Sequence, residues 1–250
     1  MTTFPVETLA LVLGAFLLGG FAKGVIGMGL PVVVLAMLAA PLGVPTALSL
    51  LVLPAVLTNT WQALDGTALR EILRRLWPFY LAASIGVLSG GLILAGAAEH
   101  LLLGLLGVVL AIYSALSLAA PRLPSPGRHE TWMAPAAAFA GGILFGMVGN
   151  FIVPGILYLQ ALGLRRDVFV QALGVTFVVI SSSLGVSLSS ADILTGDLAL
   201  LGAASVPMAF SGMAVGRRLR RYVPEELFRK IFLVALLLTG LSMLARAAGF

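Results

Sequence analysis

The chain has no cysteine, which excludes disulfides, thiolate chemistry and cysteine-based metal sites. Charge is scarce too: Asp, Glu, Lys and Arg make up 10% of the 250 residues, against about 25% in a typical soluble domain. No G-x-x-x-x-G-K-[ST] phosphate loop is present, so ATP drive is not encoded. No carboxylate lies in the middle of an apolar run. Glu99 and Asp197 stand near segment starts, and His100 and His129 near interfaces or in a linker. The buried carboxylate relay of a proton pump is therefore missing. No Ser–His or paired-Asp set lies at membrane depth, which argues against an intramembrane enzyme. The opening MTTFPVETLALVLGAFLLGG lacks a basic n-region and carries Glu7. It reads as a retained first segment, not a cleaved signal peptide.

Apolar surface is what the chain has. Hydrophobic residues are 60% of the total and the mean hydropathy is +1.10. A fold of this length has too little interior to hide that much, so its solvent is lipid. The fold class is all-α, a polytopic integral membrane protein. The apolar stretches are too long, and lack the alternation, for a closed barrel. The net charge of +5 does not signal nucleic acid, because the basic residues lie singly or in small clusters between apolar runs.

Ten apolar segments are expected, near 6–22, 25–40, 44–62, 77–96, 99–119, 133–147, 149–163, 168–189, 193–215 and 230–247. The first two and the sixth and seventh are short against the roughly 20 residues of a full span. Every basic residue except Arg246 then falls on one side: Lys23; Arg70, Arg74 and Arg75; Arg122 and Arg128; Arg165 and Arg166; Arg217, Arg218, Arg220, Arg221, Arg229 and Lys230. Glu7, Glu99 and Asp192 fall on the other. The positive-inside rule makes the basic side cytoplasmic and puts both termini outside.

The sequence repeats. GGFAKGVIGMGLPVVVL at 19–35 matches GGILFGMVGNFIVPGILYL at 141–159, aligning Gly19, Gly20, Gly24 and Gly27 with Gly141, Gly142, Gly146 and Gly149. Pro31 is answered one place later by Pro154. TALSLLVL at 46–53 corresponds in position to QALGVTFVV at 171–179, and Pro78 with Gly86 to Pro207 with Gly216. The expected organisation is an N-terminal repeat at 1–120, a linker at 121–131 and a C-terminal repeat at 132–250. Five segments per half is an odd number, so the two halves should be inverted, an arrangement common among secondary transporters.

Paired glycine-rich breaks at matching places ask for a role, because glycine costs a helix interior about 1 kcal/mol relative to alanine and proline about 3. Segments one and two, and six and seven, are expected to form helix-break-helix hairpins. Their second arms would start near Gly27-Met28-Gly29 and Gly149-Asn150-Phe151. Two helix N-termini meeting near the midplane would offer unpaired N–H groups and partial positive charge to an anion. The candidate substrate-binding residues are Lys23, Gly24, Gly27, Met28, Gly29, Asn59, Gly146, Gly149, Asn150, Gln171 and Thr176. Each has a plainer reading. Lys23 would snorkel to the interface, Asn150 would cap segment seven, and the glycines would serve helix packing. Trp61 reads as an aromatic-belt anchor, with Asn59 open between anchor and site. Ser181 to Ser183 read as helix-to-helix hydrogen bonds, or as lining of a path. Gln171 and Thr176 stay open between the two.

GFAKGVIGMGLP and GGILFGMVGNFIVP, each followed by an alanine-containing stretch (TALSL, QALGVT), resemble the sulfite exporter TauE/SafE family over nearly the whole chain. The resemblance implies a multi-pass transporter of the bacterial inner membrane, moving sulfite, sulfonates or other small anions without a cofactor. Met28 interrupts the first glycine cluster, and Asn150 and Phe151 replace glycines in the second. The expected function is export of such an anion by alternating access. The drive is the anion gradient and membrane potential, or a proton carried on the substrate. The alternative is an anion or small-solute channel on the same site. The expected partners are the substrate anion and the lipid bilayer, with a homodimer as an open expectation.

Overall fold

In the computed structural model the described residues are 4–119, 125–220, 222 and 225–247, without the side chains of 225–227 and 229. Arg122, Arg221, part of the linker at 121–131 and the Arg229 side chain therefore lie outside the description. The described residues form ten α-helices: α1 (Val6–Ile26), α2 (Leu30–Leu42), α3 (Val44–Leu64), α4 (Leu69–Gly96), α5 (Glu99–Ala119), α6 (Glu130–Val148), α7 (Leu157–Ala161), α8 (Arg166–Ser190), α9 (Gly196–Leu219) and α10 (Glu225–Ala247). A π-type turn, Ile152–Ile156, leads into α7. Eight of the described helices are long and apolar enough to cross a membrane, while α2 and the stretch through α7 are shorter. The ten expected segments are thus present. One expectation is corrected: the first and sixth are full-length helices, not short ones.

Glycine explains why α1 and α6 do not stop early. Gly19, Gly20 and Gly24 lie inside α1 and Gly141, Gly142 and Gly146 inside α6. Each sits where another backbone comes close, so the missing side chain serves packing and the helix continues through it. Of the aligned glycines, only Gly27 (φ 90°) and Gly149 (φ 70°) take the left-handed conformation that closes a helix.

The fold divides into two compact units, each drawing on both sequence halves. The first gathers the described residues of Met1–Pro54, Ala97–Ala120 and Ile193–Phe250; the second, those of Ala55–Gly96 and Pro121–Asp192. The division falls inside α3, at Pro54, an internal proline whose ring cannot donate to the helix ladder.

In the first unit α1 packs on α9, α2 folds back on α1, and α5 pairs with α10. The closest approaches are at small residues: Gly20 faces the carbonyl of Ala209, Gly24 faces Met213 and Gly216, and Gly107 faces Gly240. In the second unit α4 is central, between α6 and α8. Gly142 faces Ala83 and Gly86, and Gly146 faces Val87 and Gly90. At one end Arg75 holds Glu130 through two hydrogen bonds of 2.9 and 3.0 Å. The three tryptophans, Trp61, Trp77 and Trp132, are 55–62% exposed, as lipid-interface anchors are.

Candidate functional site

Each aligned glycine pair does the same job in its own unit. Gly19 makes room for the returning arm at Leu30 and Val34; Gly141 makes room for it at Gly155 and Phe151. Gly20 and Gly24 receive α9 as Gly142 and Gly146 receive α4. The N–H of Gly27 donates to the Lys23 carbonyl at 2.8 Å, and that of Gly149 to the Phe145 carbonyl at 2.8 Å. The two breaks are one device built twice, and Lys23 takes the place of Phe145.

In the first unit Lys23 lies in the last turn of α1, 4% exposed, with the charge of Arg217 on α9 nearby. Gly24 packs on α9, a methyl group there standing 2.9 Å from Arg217 N. Met28 is half-buried between the helices. Gly29 (φ 117°) stands just before α2, whose Pro31 occupies the first turn, where a missing N–H costs nothing. Phe232 of α10 lies 3.5 Å from the position of a Gly29 side chain. It stacks with Phe228, whose ring meets Phe21 edge-on.

In the second unit the break is set in an aromatic cluster. Phe151 meets Phe79 and Phe145 edge-on, with ring centres 5.9 and 6.4 Å apart; Phe145 meets Phe177, and Phe79 stacks on Tyr158. Asn150 is 1% exposed. Its Oδ1 accepts from Ile152 N at 2.9 Å, so the capping role is present. Its Nδ2 has no hydrogen-bond partner. A fixed, buried amide donor with nothing to donate to is a costly feature in a protein interior, of the order of 1–3 kcal/mol.

The remaining candidates are engaged in holding helices. Gln171 donates to Ala63 O at 2.8 Å and accepts from Ala68 N at 3.0 Å, bracing the turn between α3 and α4. Gln62 adds a bond to Val170 O at 2.8 Å. Asn59 Nδ2 donates to Ala55 O, and Thr176 Oγ1 to Ala172 O, each at 2.7 Å within its own helix. Gln171→Leu is expected to leave two backbone groups unpaired and cost about 2–4 kcal/mol in all. Thermal unfolding in detergent measures this, and an unchanged midpoint would show the brace to be idle.

Helix register places the two breaks, and the expectation for the serine run is corrected. Gly20 and Gly24 advance along α9 in step with Ala209 and Met213–Arg217, so the two helices run parallel. The break at Gly27 therefore stands at the end of α9, which closes at Leu219. By the same register the break at Gly149 stands just past Gly91, near the end of α4. Neither break is halfway along its unit's long helix, because α1 and α6 continue to full length before breaking. The serine run does not bridge helices either: Ser183 bonds Val179 O of its own helix, Ser182 is exposed, and Ser181 has no partner. Sequence reasoning missed Tyr80, a hydroxyl within an apolar segment two residues after Pro78. That placement was the signal available.

These features define a polytopic helical membrane protein whose paired helix breaks occupy matching places in two packing units. The family model described as sulfite exporter TauE/SafE matches residues 11–243, and the chain belongs to that family of membrane transporters, which are not enzymes. No curated protein and no solved structure matches it.

Proposed function

We propose that the chain exports a small sulfur-containing anion, sulfite or a sulfonate, across the bacterial inner membrane as a secondary transporter. It works by alternating access, with the breaks at Gly27–Gly29 and Gly149–Phe151 as substrate contacts. The observation that carries this reading is Asn150, buried, oriented by its own Oδ1, and left with an unused donor. Lys23, at the repeat-equivalent position of Phe145, supplies the charge. The matching glycine roles and the odd number of segments per half support an inverted repeat, with basic loops cytoplasmic and both termini outside.

Export needs no built-in pump. An anion leaving a negative interior gains about 2.3 kcal/mol per charge per 100 mV. Sulfite flux in proteoliposomes, with voltage and pH gradients imposed separately, tests the reading. The expected result is saturable flux that follows the voltage. Unitary currents would make the protein a channel. Absence of any protein-dependent anion flux would end the proposal.

A further inference from the structure

Among the described residues four buried side-chain groups have no hydrogen-bond partner, and three of them lie in the second unit: Tyr80 Oη, Ser181 Oγ and Asn150 Nδ2. Their levels follow from helix register. The Tyr80 hydroxyl lies beside Thr176 without closing a hydrogen bond of ordinary geometry, and Thr176 gives its own proton to Ala172 O. Gly91 is seated against Ser187. Both contacts have the same offset in sequence, so α4 and α8 run parallel and Ser181 lies level with Ile85. That is about 7.5 Å along the axis from Tyr80 at 1.5 Å per residue. Asn150, near the level of Gly91, lies further along the same direction, about 16 Å of helix rise from Tyr80, with the ring of its neighbour Phe151 reaching back to Phe79. The three unused groups are spaced along one direction of the unit, from the middle of α4 to its end.

A single orphaned hydroxyl is an ordinary imperfection of packing. Three in one unit, at successive levels along its helices, are the pattern expected of a file along which a polar species passes and each group is satisfied in turn. All three are uncharged. Every described arginine of this unit (Arg70, Arg74, Arg75, Arg128, Arg165 and Arg166) is exposed, so none stands buried beside the file. Moving a charge into such surroundings is tolerable for one charge spread over several hydrogen-bonded oxygens, and far more costly for two.

We propose that Tyr80, Ser181 and Asn150 are successive substrate contacts in the second unit, and that this file of neutral donors selects singly charged oxyanions over dianions. The inference rests on the export reading and names the substrate class it serves. The species carried is the hydrogen-sulfite or sulfonate form, with oxygens to accept from each donor and one negative charge.

The test is sulfite flux into proteoliposomes for the wild type, Tyr80→Phe and Ser181→Ala, with methanesulfonate or sulfate as competitor, alongside thermal unfolding of each protein. Ser181→Ala removes an oxygen with no partner to lose, and Tyr80→Phe one that only lies beside Thr176 without a hydrogen bond of ordinary geometry. Melting points should therefore stay level or rise while flux falls about tenfold, the scale of a hydrogen bond to a charged group. Methanesulfonate should compete at concentrations at least about tenfold below those sulfate needs. Wild-type flux in both variants would overturn the assignment and leave the export reading intact. So would a flux loss matched by a fall in melting point. Sulfate competing as well as methanesulfonate would overturn the single-charge selection. A wild type that carries no sulfite would overturn the export reading, and this inference with it.

Discussion

Valine at Gly20 or at Gly142 is expected to prevent recovery of a folded protein, or to lower its stability by at least about 3 kcal/mol, the upper range of overpacking. A side chain at Gly20 would fall on the carbonyl of Ala209 and one at Gly142 on that of Ala83. Both obstacles are backbone, so no rotamer change relieves them. The helices must separate, and a whole protein is typically stable by only about 5–15 kcal/mol. In lipid the loss is not offset by a general hydrophobic drive, since the tails are as apolar as the side chains and close packing carries the association. Gly14→Ala is the control. Nothing lies within 4 Å of its added methyl group, and helix propensity should return up to about 1 kcal/mol. Detergent melting curves and yield decide it. Valine tolerated at both sites would mean that α1–α9 and α4–α6 are not in backbone contact.

That contrast also shows what was legible in the chain. Apolar runs, arginine-marked loops and the doubled glycine cluster are local features, and they identified ten helices and the two breaks. Which glycine does which job is not local. Gly24 and Gly27 look alike in sequence, yet one receives a neighbouring helix and the other turns the chain at φ 90°. The expectation of short first and sixth segments failed for this reason: a glycine penalised in an isolated helix is favoured where another backbone must approach. The packing units were equally hidden. They exchange elements between sequence halves, and only tertiary contact reveals that α3 changes unit at Pro54. Gln171 shows the same limit. Its position at the start of a segment suited either a site or a brace, and its two hydrogen bonds, to Ala63 and Ala68, lie more than a hundred residues away in sequence.

Lys23→Met is expected to cut sulfite flux at least about tenfold, the scale of one lost charge-assisted contact, in a protein that still folds. The position is the repeat counterpart of Phe145, a fully buried core aromatic whose carbonyl serves the same glycine cap. An apolar side chain is therefore what this place in the fold accommodates, and methionine fills it with similar length and no charge. Keeping a cation there is costly, because burial penalises it and the charge of Arg217 lies nearby. A lysine that merely reached the interface would be relieved of that burden by solvent, yet Lys23 is 4% exposed. On the export reading proposed above, an anion passing the first break would ease the repulsion between the two charges. Flux and melting point measured together separate the alternatives. Lower flux with unchanged or raised stability assigns the ammonium to the substrate. Lower stability makes it part of the packing, and wild-type flux removes Lys23 from the transport path.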